Sequence, residues 1–252
     1  MCGRFVSATH PDQVAAYFGA EPPSEGATSG EWEANFNVAP TTGVYVVRDD
    51  GSVRRVEAMR WGLVPFWAKD PSIGSKMINA RSETVAEKSA FRNAFRKKRC
   101  IVPADGFYEW KKLGGPKVSG RPAKQPMYVH RADGEPLAFA GLWEVWRDPT
   151  APDTELHSCT ILTTSANATM RPVHDRMPVI LPPSAWDAWL DPAPADAETL
   201  GKLLVPAPDN LLELQPVSTD VNNVRNRGPH LLDPVDPSDP GDSSIAGQGT
   251  LL

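Results

Sequence analysis

Three cysteines in 252 residues, at Cys2, Cys100 and Cys159, are too few and too scattered for a disulfide framework or a zinc site. No run of eighteen apolar residues exists, so no helical membrane span is expected. The N-terminus also lacks the basic, apolar and small-residue blocks of a secretory leader. With thiols expected to stay reduced, these absences point to a cytoplasmic protein. Neither a metal nor a cofactor is expected. Excess positive charge is missing too, since the formal net charge is −5, which at first counts against nucleic acid. However, Asp233, Asp236, Asp239 and Asp242 lie in a stretch without Lys or Arg, and without them the remainder is near neutral. Phosphate binding depends on local basic density, not on the total.

What is present is a core. Hydrophobic residues make up 40% of the chain, with eight Trp and eight Phe, enough for a folded domain. No internal repeat is found. Thr9-His10-Pro11-Asp12 reads as a helix start capped by the Thr9 hydroxyl, with Val14, Tyr17 and Phe18 on one face. Residues 20–31 read as a surface loop. Val44–Val47 and Val53–Ala58 around Asp49-Asp50-Gly51 predict a β-hairpin. Helical spacing runs from Glu83 to Lys97. Strands are expected at Cys100–Val102, Gly106–Trp110, Met127–His130, Leu137–Trp146 and Cys159–Thr164. Short helices are expected from Ser184 to Leu190 and over Ala197–Leu204. Residues 114–125 read as a basic excursion at a hairpin tip. Strands and helices without regular alternation argue for α+β: a mixed, largely antiparallel, barrel-like sheet core flanked by helices. One domain over 1–232 is expected, followed by a disordered acidic tail over 233–252.

The chemistry begins at Met1-Cys2-Gly3-Arg4-Phe5. A small residue at position two permits removal of the initiator methionine. Cys2 would then carry a free α-amine and a thiol on adjacent carbons. Their reference pKa values, about 7.7–8.0 and about 8.5, leave both nucleophilic near neutral pH. An aldehyde can condense with the amine to a Schiff base, and the thiol can close onto the same carbon as a five-membered thiazolidine. The imine also permits β-elimination of a neighbouring phosphate.

Further segments mix polar groups with Trp, Gly and Pro: Asn35-Phe36-Asn37-Val38-Ala39-Pro40, Arg60-Trp61-Gly62-Leu63-Val64-Pro65-Phe66-Trp67, Ile78-Asn79-Ala80-Arg81-Ser82-Glu83-Thr84, Gly106-Phe107-Tyr108-Glu109-Trp110 and His174-Asp175-Arg176-Met177-Pro178. Read singly, Asn37 and Asn79 bond their own turns, Glu109 is the outward side of a strand, and His174 is structural. Taken in this order with Cys2, and with Asn222-Asn223-Val224-Arg225-Asn226 near the end, they resemble the SRAP family over residues 2–230. These are SOS-response-associated peptidase-like proteins that shield abasic sites in single-stranded DNA.

The resemblance implies loss of Met1 and a thiazolidine crosslink between Cys2 and the ring-opened aldehyde of an abasic sugar. Glu109 would exchange protons with the Cys2 amine or the carbinolamine. His174, with a reference pKa of about 6.5, would exchange protons at the sugar oxygen. Asn79 would hold the amine or the opened sugar, and Asn37 would orient the N-terminal segment. A lyase activity through the Schiff base, and self-removal of Met1, are the further activities that it implies. For DNA, Arg4, Arg81 and Arg176 are expected on phosphates; Trp67, Trp110 and Pro40 would stack on or wedge between flanking bases, and Asn37 is counted among the DNA contacts. The run Arg92, Arg96, Lys97, Lys98 and Arg99 reads equally as a phosphate patch or as a solvated helix end. The expected partner is single-stranded DNA containing abasic sites, bound near the nucleoid by a monomer. Three alternatives stay open: an N-terminal-nucleophile amidohydrolase, whose members also start Met-Cys-Gly; a peptidase; and a single-strand-binding module in which Cys2 is incidental.

Overall fold

The computed structural model describes residues 2–24, 32–118 and 121–236. Parts of three expected segments, the 20–31 loop, the 114–125 tip and the tail, lie outside these residues.

Gly43–Asp49 (β3), which buries Val44, Val46 and Val47, and Arg54–Trp61 (β4), which buries Val56, Met59 and Trp61, form the expected hairpin, antiparallel from Gly43 opposite Arg60 to Asp49 opposite Arg54. Strand β3 also meets Arg99–Ala104 (β6), which pairs with Leu137–Asp148 (β9), and β9 pairs with Ala151–Ser165 (β10). A parallel contact of β10 with β4 closes the ring, so five strands make a small mixed barrel. Closure removes the exposed edges of an open sheet. Two three-residue strands, Asn79–Arg81 (β5) and Arg176–Pro178 (β11), add to the long β10, one parallel and one antiparallel. Of the twelve strands among the described residues, the remaining five form a second, antiparallel sheet. In spatial order they are Leu212–Pro216 (β12), Arg121–Arg131 (β8), Gly106–Val118 (β7), Phe5–Ser7 (β1) and Asn35–Val38 (β2).

The barrel strands are apolar on both faces because each face meets a different core. Val47, Ile101, Ala140, Leu142 and Leu162 pack against Val14 and Phe18 of helix α1 (Pro11–Phe18), Phe95 of α2 (Arg92–Lys97), and Trp186 and Trp189 of α3 (Trp186–Leu190). Val44, Val46, Cys100, Val102, Phe139, Cys159 and Ile161 meet the second sheet through Phe5, Phe107 and Val129, and Cys2 belongs to this core.

Several local expectations are corrected. His10, not Thr9, caps α1 by accepting from the Asp12 N–H at 3.2 Å. The Thr9 hydroxyl donates instead to the Asp105 carboxylate. Of the helix expected over 83–97 only α2 forms. Glu83 is drawn to Arg176 and Val85 is buried in the core, and residues 82–91 make turns between those anchors and α2. The expected Ser184–Leu190 helix starts as a 3₁₀ turn, Pro183–Ala185, before α3, and Asp196 caps a shorter α4 (Ala197–Gly201). The tail does not begin at 233: the Val235 N–H donates to Pro216 O, and Pro234 bridges Val217.

One close approach sets up the site. Gly62, at φ +129°, and Gly74 touch backbone to backbone, so that a Cβ on Gly62 would lie 2.6 Å from the Gly74 oxygen. Only glycines fit there. The contact holds the 62–68 segment against the 3₁₀ turn Pro71–Lys76, which leads directly into β5.

Candidate active site

Strand β1 lies between β2 and β7, with Phe5 opposite both Val38 and Phe107. Antiparallel pairing then carries residues 2–4 back alongside 108–110, and the Tyr108 N–H donates to Arg4 O at 2.9 Å. Cys2 is thereby buried beside Glu109, itself 4% exposed. Burial, and next the Glu109 charge, push the Cys2 thiol well above the usual thiol range. Burial also raises the Glu109 carboxyl, opposed in part by the charge of His174.

Asn79 arrives from β5, held in register opposite Ile161 of β10. Its Nδ2 donates to the Cys2 carbonyl at 2.7 Å, while its buried Oδ1 has no hydrogen-bond partner among the described residues. His174 ends the turn that begins at Asn167 and precedes β11; its own N–H donates to Met170 O. The His174 Nδ1 accepts from the Arg176 N–H at 3.0 Å and lies 2.8 Å from Asp175 Oδ1. One ring nitrogen cannot accept and donate at once. Without a proton, Nδ1 accepts the hydrogen bond of the Arg176 N–H; with one, it donates to Asp175.

Cys2, Asn79, Glu109 and His174, 172 positions apart at their extremes, are brought together. The residues expected on DNA separate into two groups. Exposed Arg81 shares a strand face with Asn79, two positions on, and Trp67 projects at 47% exposure beside Phe66 at 58%. Pro40 is half-buried beyond β2.

The others are tied within the protein. The Trp110 Nε1 donates to Asn222 Oδ1 at 2.7 Å, with the Arg4 guanidinium 5.9 Å from its ring centre. Arg176 makes a two-pronged ion pair with Glu83, at 2.5 and 2.9 Å, and donates to Thr163 O. Arg4 donates to Asn37 Oδ1 at 2.7 Å and to Val221 O. Asn37 is corrected as a DNA contact, because it is 1% exposed and its Nδ2 donates to the carbonyls of Val221, Asn223 and Asn226.

The basic run is also resolved. Arg99 is buried, donating to the carbonyls of Phe95, Trp189, Asp191 and Ala193. Lys98 pairs with Glu144, while Arg92, Arg96 and Lys97 stay exposed on the α2 side. Sequence reasoning assigned no role to Glu83 or Asp175, although both stand inside the motifs that it singled out.

The model of the SOS response associated peptidase (SRAP) family matches residues 1–224. The chain belongs to the SRAP family. It is 42% identical over 233 residues to the abasic site processing protein YoqW of Bacillus subtilis, covering 92% of this chain and 99% of that one. The Escherichia coli abasic site processing protein YedK is 31% identical over 238 residues, covering 93% and 100%. HMCES of Xenopus tropicalis, also named an abasic site processing protein, is 32% identical over 92% of this chain and 78% of its own. Among solved structures, a Bacteroides thetaiotaomicron protein superposes with a TM-score of 0.80 at 26% identity, over 93% of this chain and all of the other. A Bordetella bronchiseptica protein gives 0.67 at 31%, over 86% and 100%. The single-domain SRAP fold, a mixed five-stranded barrel beside an antiparallel sheet, is thus this chain's fold.

Proposed function

We propose that this SRAP protein captures abasic sites in single-stranded DNA as a thiazolidine formed on Cys2 once Met1 is removed. The observation that carries the reading is the convergence of Glu109, His174 and Asn79 on a buried Cys2.

The raised thiol orders the steps. Held protonated by burial and by the Glu109 charge, sulfur is a poor first nucleophile, so the freed amine attacks the aldehyde carbon. The resulting carbinolamine loses its hydroxyl as water, with Glu109 in its protonated form supplying the proton; burial favours that form. The imine carbon then accepts the Cys2 sulfur. The S–C bond forms as the S–H proton passes to the Glu109 carboxylate, restoring the acid that burial favours, while the nitrogen keeps the proton it already carries and becomes the ring amine. One water is lost overall. His174 exchanges a proton with the sugar ring oxygen during opening through Nε2, while Nδ1 stays turned to Arg176 and Asp175. The Asn79 Oδ1 accepts from the terminal amine, while Nδ2 keeps the Cys2 carbonyl in place. Slow sulfur closure would divert the imine to β-elimination, giving a minor lyase activity. Arg81, Trp67 and Pro40 hold the flanking strand, and Arg4, Trp110 and Arg176 act from the edges of the site.

Intact mass spectrometry after mixing with an abasic oligonucleotide tests this. The expected adduct is the Met1-less protein plus the oligonucleotide minus one water, absent with Cys2→Ala. A covalent adduct on protein retaining Met1, or an equal yield from Cys2→Ser, overturns the proposal.

A further inference from the structure

The turn that Asn37 grips presents a second face. Its carbonyls point inward: Val221, Asn223 and Asn226 accept from Asn37, Val221 also from Arg4, and Arg227 from the Phe36 N–H at 3.1 Å. It is also braced within itself. The Asn226 side chain donates to Asp220 O, and the Arg225 N–H donates to Asn223 Oδ1. With its backbone committed, the turn holds Val224, Arg225 and Arg227 toward solvent, Val224 at 45% exposure. Neither arginine is paired with a carboxylate among the described residues. The turn adjoins the reactive centre at two points: Trp110, next in sequence to Glu109, donates to Asn222, and Arg4, two residues from Cys2, donates to Val221.

We infer that residues 222–227 form a wall on which the single strand beside the abasic nucleotide docks. Arg225 and Arg227 neutralise its phosphates, and Val224 seats against a sugar or base. This rests on the reading of Cys2 as an abasic-site trap and adds a surface to it. Charge complementarity and continuity with the site both favour DNA as the occupant. Two cations, unpaired among the described residues, follow an exposed apolar side chain on a turn with only one acidic residue, Asp220. An abasic nucleotide offers no base to read, so affinity has to come from flanking phosphates and stacked rings. A rigid turn adds such contacts with little ordering cost, because its backbone is already fixed.

The test is binding of the full chain to a single-stranded oligonucleotide carrying a tetrahydrofuran abasic analogue, which cannot crosslink. For single strands each neutralised phosphate contributes about 0.7 to the slope of log affinity against log salt. Arg225→Ala/Arg227→Ala is expected to flatten the slope by about 1.4. Between 50 and 200 mM salt, that is about a sevenfold difference in how far affinity falls. Trimming the nucleotides on one side of the lesion should weaken wild-type binding and leave the double variant's unchanged. Both side chains are exposed, so thermal unfolding serves as the folding control. A folded double variant with wild-type affinity, slope and flank dependence overturns the inference. Failure of the trap is read separately, as the absence of any adduct between the wild-type protein and a reactive abasic oligonucleotide.

Discussion

Removing the Asn37 side chain should release the 221–227 turn before anything else. Asn37 is 1% exposed, and its Nδ2 lies 3.2, 3.1 and 2.9 Å from the carbonyls of Val221, Asn223 and Asn226. An amide nitrogen has two protons, so three contacts share two donors, worth a net of about 1 kcal/mol each. Its Oδ1 also takes the Arg4 guanidinium at 2.7 Å, a charge-assisted bond worth about 1.5–3 kcal/mol. Asn37→Ala should therefore cost about 3.5–5 kcal/mol. Urea unfolding should show this as a lower midpoint at unchanged slope. Hydrogen exchange supplies the local readout, since the Phe36 amide bonds Arg227 O and the Asn226 amide bonds Asn223 O. Both should lose protection while β9 and β10 keep theirs. A loss below about 1 kcal/mol, with those two amides still protected, would refute the assignment of Asn37 as the anchor of the turn.

The remaining expectations concern groups whose charge is constrained. Burial raises the Glu109 carboxyl, so ionising it opposes folding: the penalty is absent below the unfolded value of about 4.3 and grows as pH rises through the folded value. Glu109→Gln should thus be more stable than wild type at pH 7 and equal to it in acid, while crosslinking slows; a variant less stable at pH 7 contradicts this. Arg99→Met leaves four carbonyls without their donor and should cost about 3 kcal/mol or more in denaturant unfolding. Its affinity for single-stranded DNA should stay at the wild-type level, and a weakened affinity in folded protein would return Arg99 to the DNA surface. Glu83→Gln removes the two-pronged partner of Arg176, whose backbone N–H orients the His174 ring. Crosslinking should slow at saturating DNA, with the His174 ring-nitrogen NMR signals shifted; unchanged rate and signals would remove Glu83 from the site.

The fold is legible in the chain where local pattern and final contact coincide. The β3–β4 hairpin needs only two short apolar runs and an Asp-Gly turn, all adjacent in sequence. Strands β7 and β10 run longer than their composition suggests, because pairing across a hairpin or a barrel seam supports residues with little strand character, such as Lys111 and Lys112. Strands β1, β5 and β11, three residues each, carry no periodicity at all, and each exists because a long partner offers it a free ladder. Yet β5 delivers Asn79, and β11 anchors the chain two residues beyond His174. The reactive residues stand out because their chemical types are unusual in such segments, not because their positions could be computed. The same argument explains why polar side chains of one type divide between two uses. Asn37, Arg99 and Arg176 carry functional groups equally fit for DNA and for carbonyls or carboxylates of their own chain, and only tertiary neighbours decide between them. Val221 lies 184 positions from Asn37, Trp189 lies 90 from Arg99, and Glu83 lies 93 from Arg176. A polar side chain in a motif therefore has two ways to be indispensable: by holding its own chain, or by holding the DNA. Arg225 and Arg227, turned outward by a segment whose own carbonyls are satisfied, are left with the second.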